Sequence, residues 1–146
     1  MMVFKEANMD DCYIQDLFNE CSVGKALGIE ILEVREGYAK GMMTIKKEHL
    51  NVFDSAHGGV IFTLADHIGG ACGNTLGKKA VLIESSIQYF KPVFEGNRVY
   101  AEASIIHKGK KIGRLDVKVF TEDSQDVALM HMVFYITHEK HTEKTA

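Results

Sequence analysis

Residues 57–73 read HGGVIFTLADHIGGACG, and no other stretch of the chain limits its fold so tightly. Val60, Leu64 and Ile68 fall at four-residue steps, the spacing of one face of a helix. The pattern predicts a helix of about 17 residues, longer than the usual three turns. Gly59, Gly69, Gly70 and Gly73 lie inside it. Each costs about 1 kcal/mol relative to alanine in a helix interior, so local propensity does not hold this helix together. Contacts from elsewhere in the chain must, and a sheet curled around the helix would supply them.

The flanking sequence provides the strands. GIEILEVR (28–35) and YAKGMMTIK (38–46) have β character and are separated by Glu36-Gly37, which suits a hairpin turn. Four further runs follow the helix, at 81–89, 98–108, 112–121 and 127–138, with turn signals at Glu95-Gly96, Lys108-Gly109 and 122–125. Short links favour antiparallel neighbours, because parallel pairing needs a long crossover. Ahead of the first strand, Ile14, Leu17, Phe18 and Cys21 predict a short amphipathic helix over about 10–21. The polar tail from about 139 is expected to fray. The chain is therefore expected to be α+β, one antiparallel sheet with a long helix, in a single domain spanning 1–146; at 146 residues and 46% hydrophobic content it is too short for two.

Charge narrows the choice of partner. Seventeen basic residues against twenty acidic ones, with no basic block, argue against nucleic acid or an anionic membrane. No apolar run approaches the roughly 20 residues of a membrane span, and the start MMVFKEANMDD lacks a signal core, so a cytoplasmic protein is expected. Cys12, Cys21 and Cys72 lack metal-type pairing and read as small apolar residues rather than a disulfide framework.

Within the glycine-rich helix one acid stands out. Asp66 has Thr63 and Gly70 three residues before and four after it, with Gly59 and Gly73 seven residues to either side. A face of such small residues admits a close partner, either a second helix or a substrate. At the helix start, His57-Gly58-Gly59 leaves backbone N–H groups and the positive end of the helix dipole where an oxyanion would sit. Gly58 has no side chain to keep a ligand off its amide. Asn51, in the preceding loop, adds an amide donor. Eight residues separate Gly58 from Asp66, roughly 12 Å along a helix, so one copy cannot bring both to the same reacting carbon. Two copies packed antiparallel about a two-fold axis can, which predicts a homodimer as the smallest active unit.

The pattern formed by Asn51, His57, Gly58, Gly59, Leu64 and Asp66 resembles that of the hot-dog-fold thioesterases, in particular the PaaI-type and human THEM-type acyl-CoA thioesterases. The resemblance runs from about 24 to 137 and includes IQYFKPVFEG and HKGKKIG. It implies a hot-dog fold, an antiparallel sheet wrapped around a long central helix, and hydrolysis of acyl-CoA thioesters at a dimer interface. It further implies Asp66 as base or nucleophile, the Gly58 amide and the Asn51 side chain on the thioester carbonyl, His57 shaping the turn, and dimers paired into tetramers. Lys108, Lys110 and Lys111 stand where the family often has basic residues over the CoA phosphates, and a solvated basic hairpin accounts for them equally. Asp54 replaces a common loop glycine, an exchange Asp tolerates because it enters the left-handed region. Leu82 stands where many relatives carry a Ser or Thr, with Ser85 and Ser86 nearby.

No metal or organic cofactor is expected, coenzyme A being part of the substrate: His131, His138 and His141 do not form a ligand set of the three or four groups that zinc needs. Tyr89 and Phe90 read as strand core and interface. Two other functions fit parts of the same sequence. A hot-dog hydratase or dehydratase would carry a Pro-containing turn after the His and a Glu on the helix, and the single proline, Pro92, lies far from His57. A non-catalytic acyl-CoA-binding module would not need Asn51, Gly58 and Asp66 together.

Overall fold

The computed structural model describes residues 9–141. Two helices, α1 (Met9–Asn19) and α2 (Ser22–Leu27), precede the hairpin β1 (Glu30–Arg35) and β2 (Tyr38–Thr44). The long helix α3 (Gly58–Gly73) follows, extended by a 3-10 turn at Asn74–Leu76. Then come β3 (Lys78–Tyr89), β4 (Arg98–Lys108), β5 (Ile112–Thr121) and β6 (Asp126–Lys140). All pairings are antiparallel, in the order β1-β2-β4-β5-β6-β3. Among the described residues no helix is long and apolar enough to cross a bilayer.

The expected strands and the glycine-rich helix form, with three differences. The helix expected over 10–21 forms as α1 over 9–19, where the Asn19 side chain turns to accept the Ile31 N–H at 2.9 Å and ends it against β1, and a second, six-residue helix, α2, follows that the periodicity does not predict. The short link between β3 and β4 does not make them neighbours. Val93 within it is 2% exposed, and its carbonyl accepts the Ala56 N–H at 2.8 Å, so the link passes beneath the entry to α3 and delivers β4 to β2. At the C-terminus, β6 continues to Lys140, Glu139 pairs with Lys79, and the His141 N–H reaches Gly77 O at 3.0 Å. Pairing with the start of β3 thus orders residues 139–141, while 142–146 lie outside the described residues. Cys72 is buried as a small apolar residue, whereas Cys12 is exposed; Cys12, Cys21 and Cys72 are all free thiols.

Leu64, Ala65, Ile68, Ala71 and Cys72 are fully buried against Leu115, Val117, Met130, Met132 and Phe134 on the concave face of the sheet. The glycines set how closely helix and sheet approach. A Cβ on Gly69 would run into Met132 Sδ and Val117 Cγ2. On the sheet itself, the fully buried Phe134 ring lies across Gly113 of β5, filling the place of its side chain.

The two sheet edges differ. On β1, the Ile31 N–H and C=O are taken by Asn19 and by the Gln15 side-chain amide (3.2 Å), so α1 closes that edge. On β3, Asn74 occupies Ala80, and over residues 81–89 nothing among the described residues pairs with the outer edge. A long edge left open in this way is a template for another strand.

Gly113→Ala should lower stability by about 1–3 kcal/mol, the usual cost of overpacking. The cost should shrink when Phe134→Leu is made with it, which a double-mutant cycle in urea measures.

Candidate active site

The loop before α3 is a tight, self-bonded turn. Asn51 N–H donates to Ser55 O at 2.7 Å, while the Asn51 side-chain oxygen accepts the backbone N–H of Phe53 (2.8 Å) and of Ser55 (3.2 Å). Asp54 sits at φ 59°, the left-handed conformation expected of the residue that replaces a glycine. Asn51 Nδ2 gives one hydrogen to Ser55 Oγ at 3.1 Å, which leaves the amide's second hydrogen for a ligand. The buried His49 anchors the loop, its ring accepting the Lys46 N–H and its carbonyl the His57 N–H.

A helix start has four N–H groups that its own turns leave without partners, and here three are accounted for. His57 N–H goes to His49 O at 2.8 Å, Gly59 N–H to the His57 ring Nδ1 at 2.9 Å, and Val60 N–H to His57 O at 2.9 Å. Only the Gly58 N–H is left without a partner among the described residues. Gly59, expected to contact substrate, has its N–H committed to His57 and its carbonyl to the Thr63 hydroxyl at 2.8 Å, so of the two glycines only Gly58 has a free backbone donor. His57 does shape the turn, as the cap of the helix.

Tyr89 is the residue that sequence reasoning missed. It is not core: it is 51% exposed, and its hydroxyl donates to Gly58 O at 2.8 Å. A cavity of about 290 Å³ opens beside it, lined by Gly58, Ile61, Tyr89, Phe90, Pro92 and Val93. No local pattern signals that contact, because 31 residues separate its partners.

Asp66 lies two turns further along α3 and is half-buried. Its carboxylate makes no hydrogen bond among the described residues. Burial pushes its pKa above the ordinary carboxylate value, with the neighbouring His67 pulling the other way. His67 is itself buried, which holds its own pKa below the usual imidazole value despite a 3.0 Å bond to Phe18 O. A carboxylate with a raised pKa and no partner is suited to accept a proton.

On β3, Leu82 packs against the core and offers no hydroxyl. Ser85 pairs in register with Met132, whose sulfur packs on Gly69, so Ser85 stands on the α3-facing side of β3; Ser86 is exposed on the opposite face. Lys108, Lys110 and Lys111 lie at the other end of the molecule. They line cavities shared with His107, Arg114, Leu76 and Lys78, beside the C-terminal end of α3. One chain therefore does not bring them to Gly58, about 24 Å away along the 16-residue helix.

An antiparallel sheet wrapped about one long helix is the hot-dog fold, and here it carries a free amide at the helix start and a desolvated carboxylate in the helix middle. Residues 53–128 match the model of the thioesterase superfamily, and the chain belongs to that family, among its PaaI-type members. A putative esterase of Archaeoglobus fulgidus is 36% identical over 135 residues, 92% of this chain and 88% of that protein. The acyl-coenzyme A thioesterase PaaI of Escherichia coli is 34% identical over 113 residues, covering 77% and 81% of the two chains. The solved structure of the E. coli PaaI protein of the phenylacetic acid degradation operon superposes with a TM-score of 0.85, 30% identical over 90% of this chain and 94% of that one. A hypothetical thioesterase of Streptococcus pneumoniae, solved with coenzyme A, gives a TM-score of 0.80 at 25% identity, covering 87% and 99%.

The raised pKa of Asp66 sets a pH signature. Its folded pKa lies above the unfolded value, so ionising it opposes folding: that penalty is absent below about pH 4, grows as pH rises and is complete above the folded pKa. Asp66→Asn should therefore melt at a higher temperature than wild type at pH 7, with the difference closing as pH approaches 4 in calorimetric scans.

Proposed function

We propose that the protein hydrolyses acyl-CoA thioesters in a site shared by two chains, with no metal or organic cofactor. The observation that carries this reading is the pairing of one free amide, at Gly58, with one unpartnered, half-buried carboxylate eight residues further along the same helix. The roughly 12 Å between them rules out joint action on one carbonyl within a chain. Two α3 helices packed antiparallel bring the Gly58 end of one against Asp66 of the other, and carry the partner's basic hairpin towards the same carbonyl-binding end. The open edge of β3 and the exposed Val52 and Phe53 beside Asn51 support such an assembly, with dimers pairing into tetramers.

In this arrangement the Gly58 N–H and the free Asn51 Nδ2 hydrogen hold the thioester oxygen. Asp66 of the facing chain removes a proton from water as it attacks the carbonyl carbon, or attacks directly to give an anhydride that water then opens. In either route the C–S bond breaks and CoA leaves as thiolate, protonated on release. Ser85, on the α3-facing side of β3, orients the water beside Asp66. The lysines of the β4–β5 turn meet the CoA phosphates, and the acyl group, arylacetyl or medium-chain, enters the apolar cavity beside Tyr89 and Phe90.

With a panel of acyl-CoAs read by thiol release, Asp66→Ala should lose about 10²–10⁴-fold in kcat, the range of a general base, with the fold retained by circular dichroism. Wild-type turnover in that variant would refute the mechanism, and hydration of crotonyl-CoA without thiol release would favour a hydratase. Ser85→Ala should lose about tenfold, as for one hydrogen bond to a charged group.

A further inference from the structure

The Gly58–Gly59 peptide is held at both ends by side chains. Tyr89 Oη donates to its carbonyl oxygen at 2.8 Å, and His57 Nδ1 accepts its N–H at 2.9 Å. The hydroxyl end of Tyr89 also lies against Gly58, with Oη 3.3 Å and Cζ 3.4 Å from where a Cβ would stand. Upstream the turn is anchored at His57, whose N–H the buried His49 carbonyl accepts, but the two glycines that follow carry no side chain of their own to fix them. Two consecutive glycines open α3, each with more conformational freedom to lose than any other residue, and helix ends fray. His57, adjacent to Gly58, caps the Gly59 N–H from within the turn itself and does not tie it to the sheet. Tyr89 belongs to the end of β3, whose place is fixed by pairing with β6 through Tyr89↔Ala128.

We propose that Tyr89 is the positioning residue for the carbonyl-binding amide: it ties the first turn of α3 to the sheet, so that the Gly58 N–H points at one fixed place. This rests on the Gly58 role proposed above. An oxyanion donor acts through preorganisation, within 2.7–3.1 Å of where the negative oxygen forms, and a displacement of about 1 Å costs up to 10²-fold in rate. The oxyanion exists only in the transition state, so loosening the donor lowers kcat more than it changes KM.

Tyr89→Phe keeps the ring and removes only the hydroxyl. In the full-length protein its kcat should fall about 10–100-fold, equally across acyl groups, with KM within about twofold. Amide hydrogen exchange supplies a readout independent of turnover: the Gly59 amide should exchange several-fold faster in the variant, while core strand amides keep their wild-type protection. A raised KM with unchanged kcat would overturn the proposal by making Tyr89 a substrate contact, and so would an unchanged Gly59 exchange rate. If the wild-type protein releases no thiol from any acyl-CoA, the functional reading fails and the positioning role with it, and faster Gly59 exchange in the variant then shows only that Tyr89 holds the helix start to the sheet.

Discussion

The contact between the glycine-bearing side of α3 and the concave face of the sheet is the constraint on which the rest of the structure depends. Gly69 lets the helix backbone settle onto Met132 and Val117, and Gly113 lets Phe134 lie across its neighbouring strand. Larger residues would hold helix and sheet apart and open voids on either side. The same residues make α3 a poor helix in isolation, so helix and sheet are stable only together. Close approach buries residues 67–73 of α3 on all sides, while Gly58, Gly59, Thr63 and Asp66 before them stay at the rim of the wrap.

The proposed chemistry uses that division. A carboxylate in the buried half would stay protonated, and one fully in water would be a weak base. At the rim, Asp66 is desolvated enough to raise its pKa and remains within reach of a substrate. The cost is borne by the fold, which is less stable for carrying an unpartnered acid, the usual trade at a working site. The amide and the carboxylate also lie on one rigid rod with a fixed spacing. Rigidity keeps each in place, and in the proposed mechanism the spacing makes their cooperation one between chains.

Much of this was legible in the sequence because it is local. The four-residue stripe Val60, Leu64, Ile68 and the turn signals at Gly37 and Gly96 are written in adjacent residues, and the helix and strands formed close to where they indicated. The left-handed Asp54 was implied by the resemblance, in which a glycine is common at that position. The 12 Å argument needed only the rise of a helix. What stayed hidden depends on residues far apart in the chain. The exchange of β4 for β6 as the neighbour of β3 is decided by the path of Val93 under the loop before α3. The end of the first helix is decided by Asn19 reaching Ile31, and the place of Tyr89 by a contact across 31 residues. Gly59 carried the same local signal as Gly58, and only the ring of His57 distinguishes them.

The central claim is that each site takes its amide from one chain and its carboxylate from another, and subunit mixing tests it most directly. Gly58→Pro removes the amide and Asp66→Ala the carboxylate; each parent should fold and be inactive alone. After exchange between the two, a mixed dimer contains one site with neither defect, so activity should return towards a quarter of wild type: random pairing gives about half mixed dimers, each with one of its two sites intact. No recovery after exchange proven by mass spectrometry, or full activity in a wild-type monomer defined by sedimentation, would contradict the account.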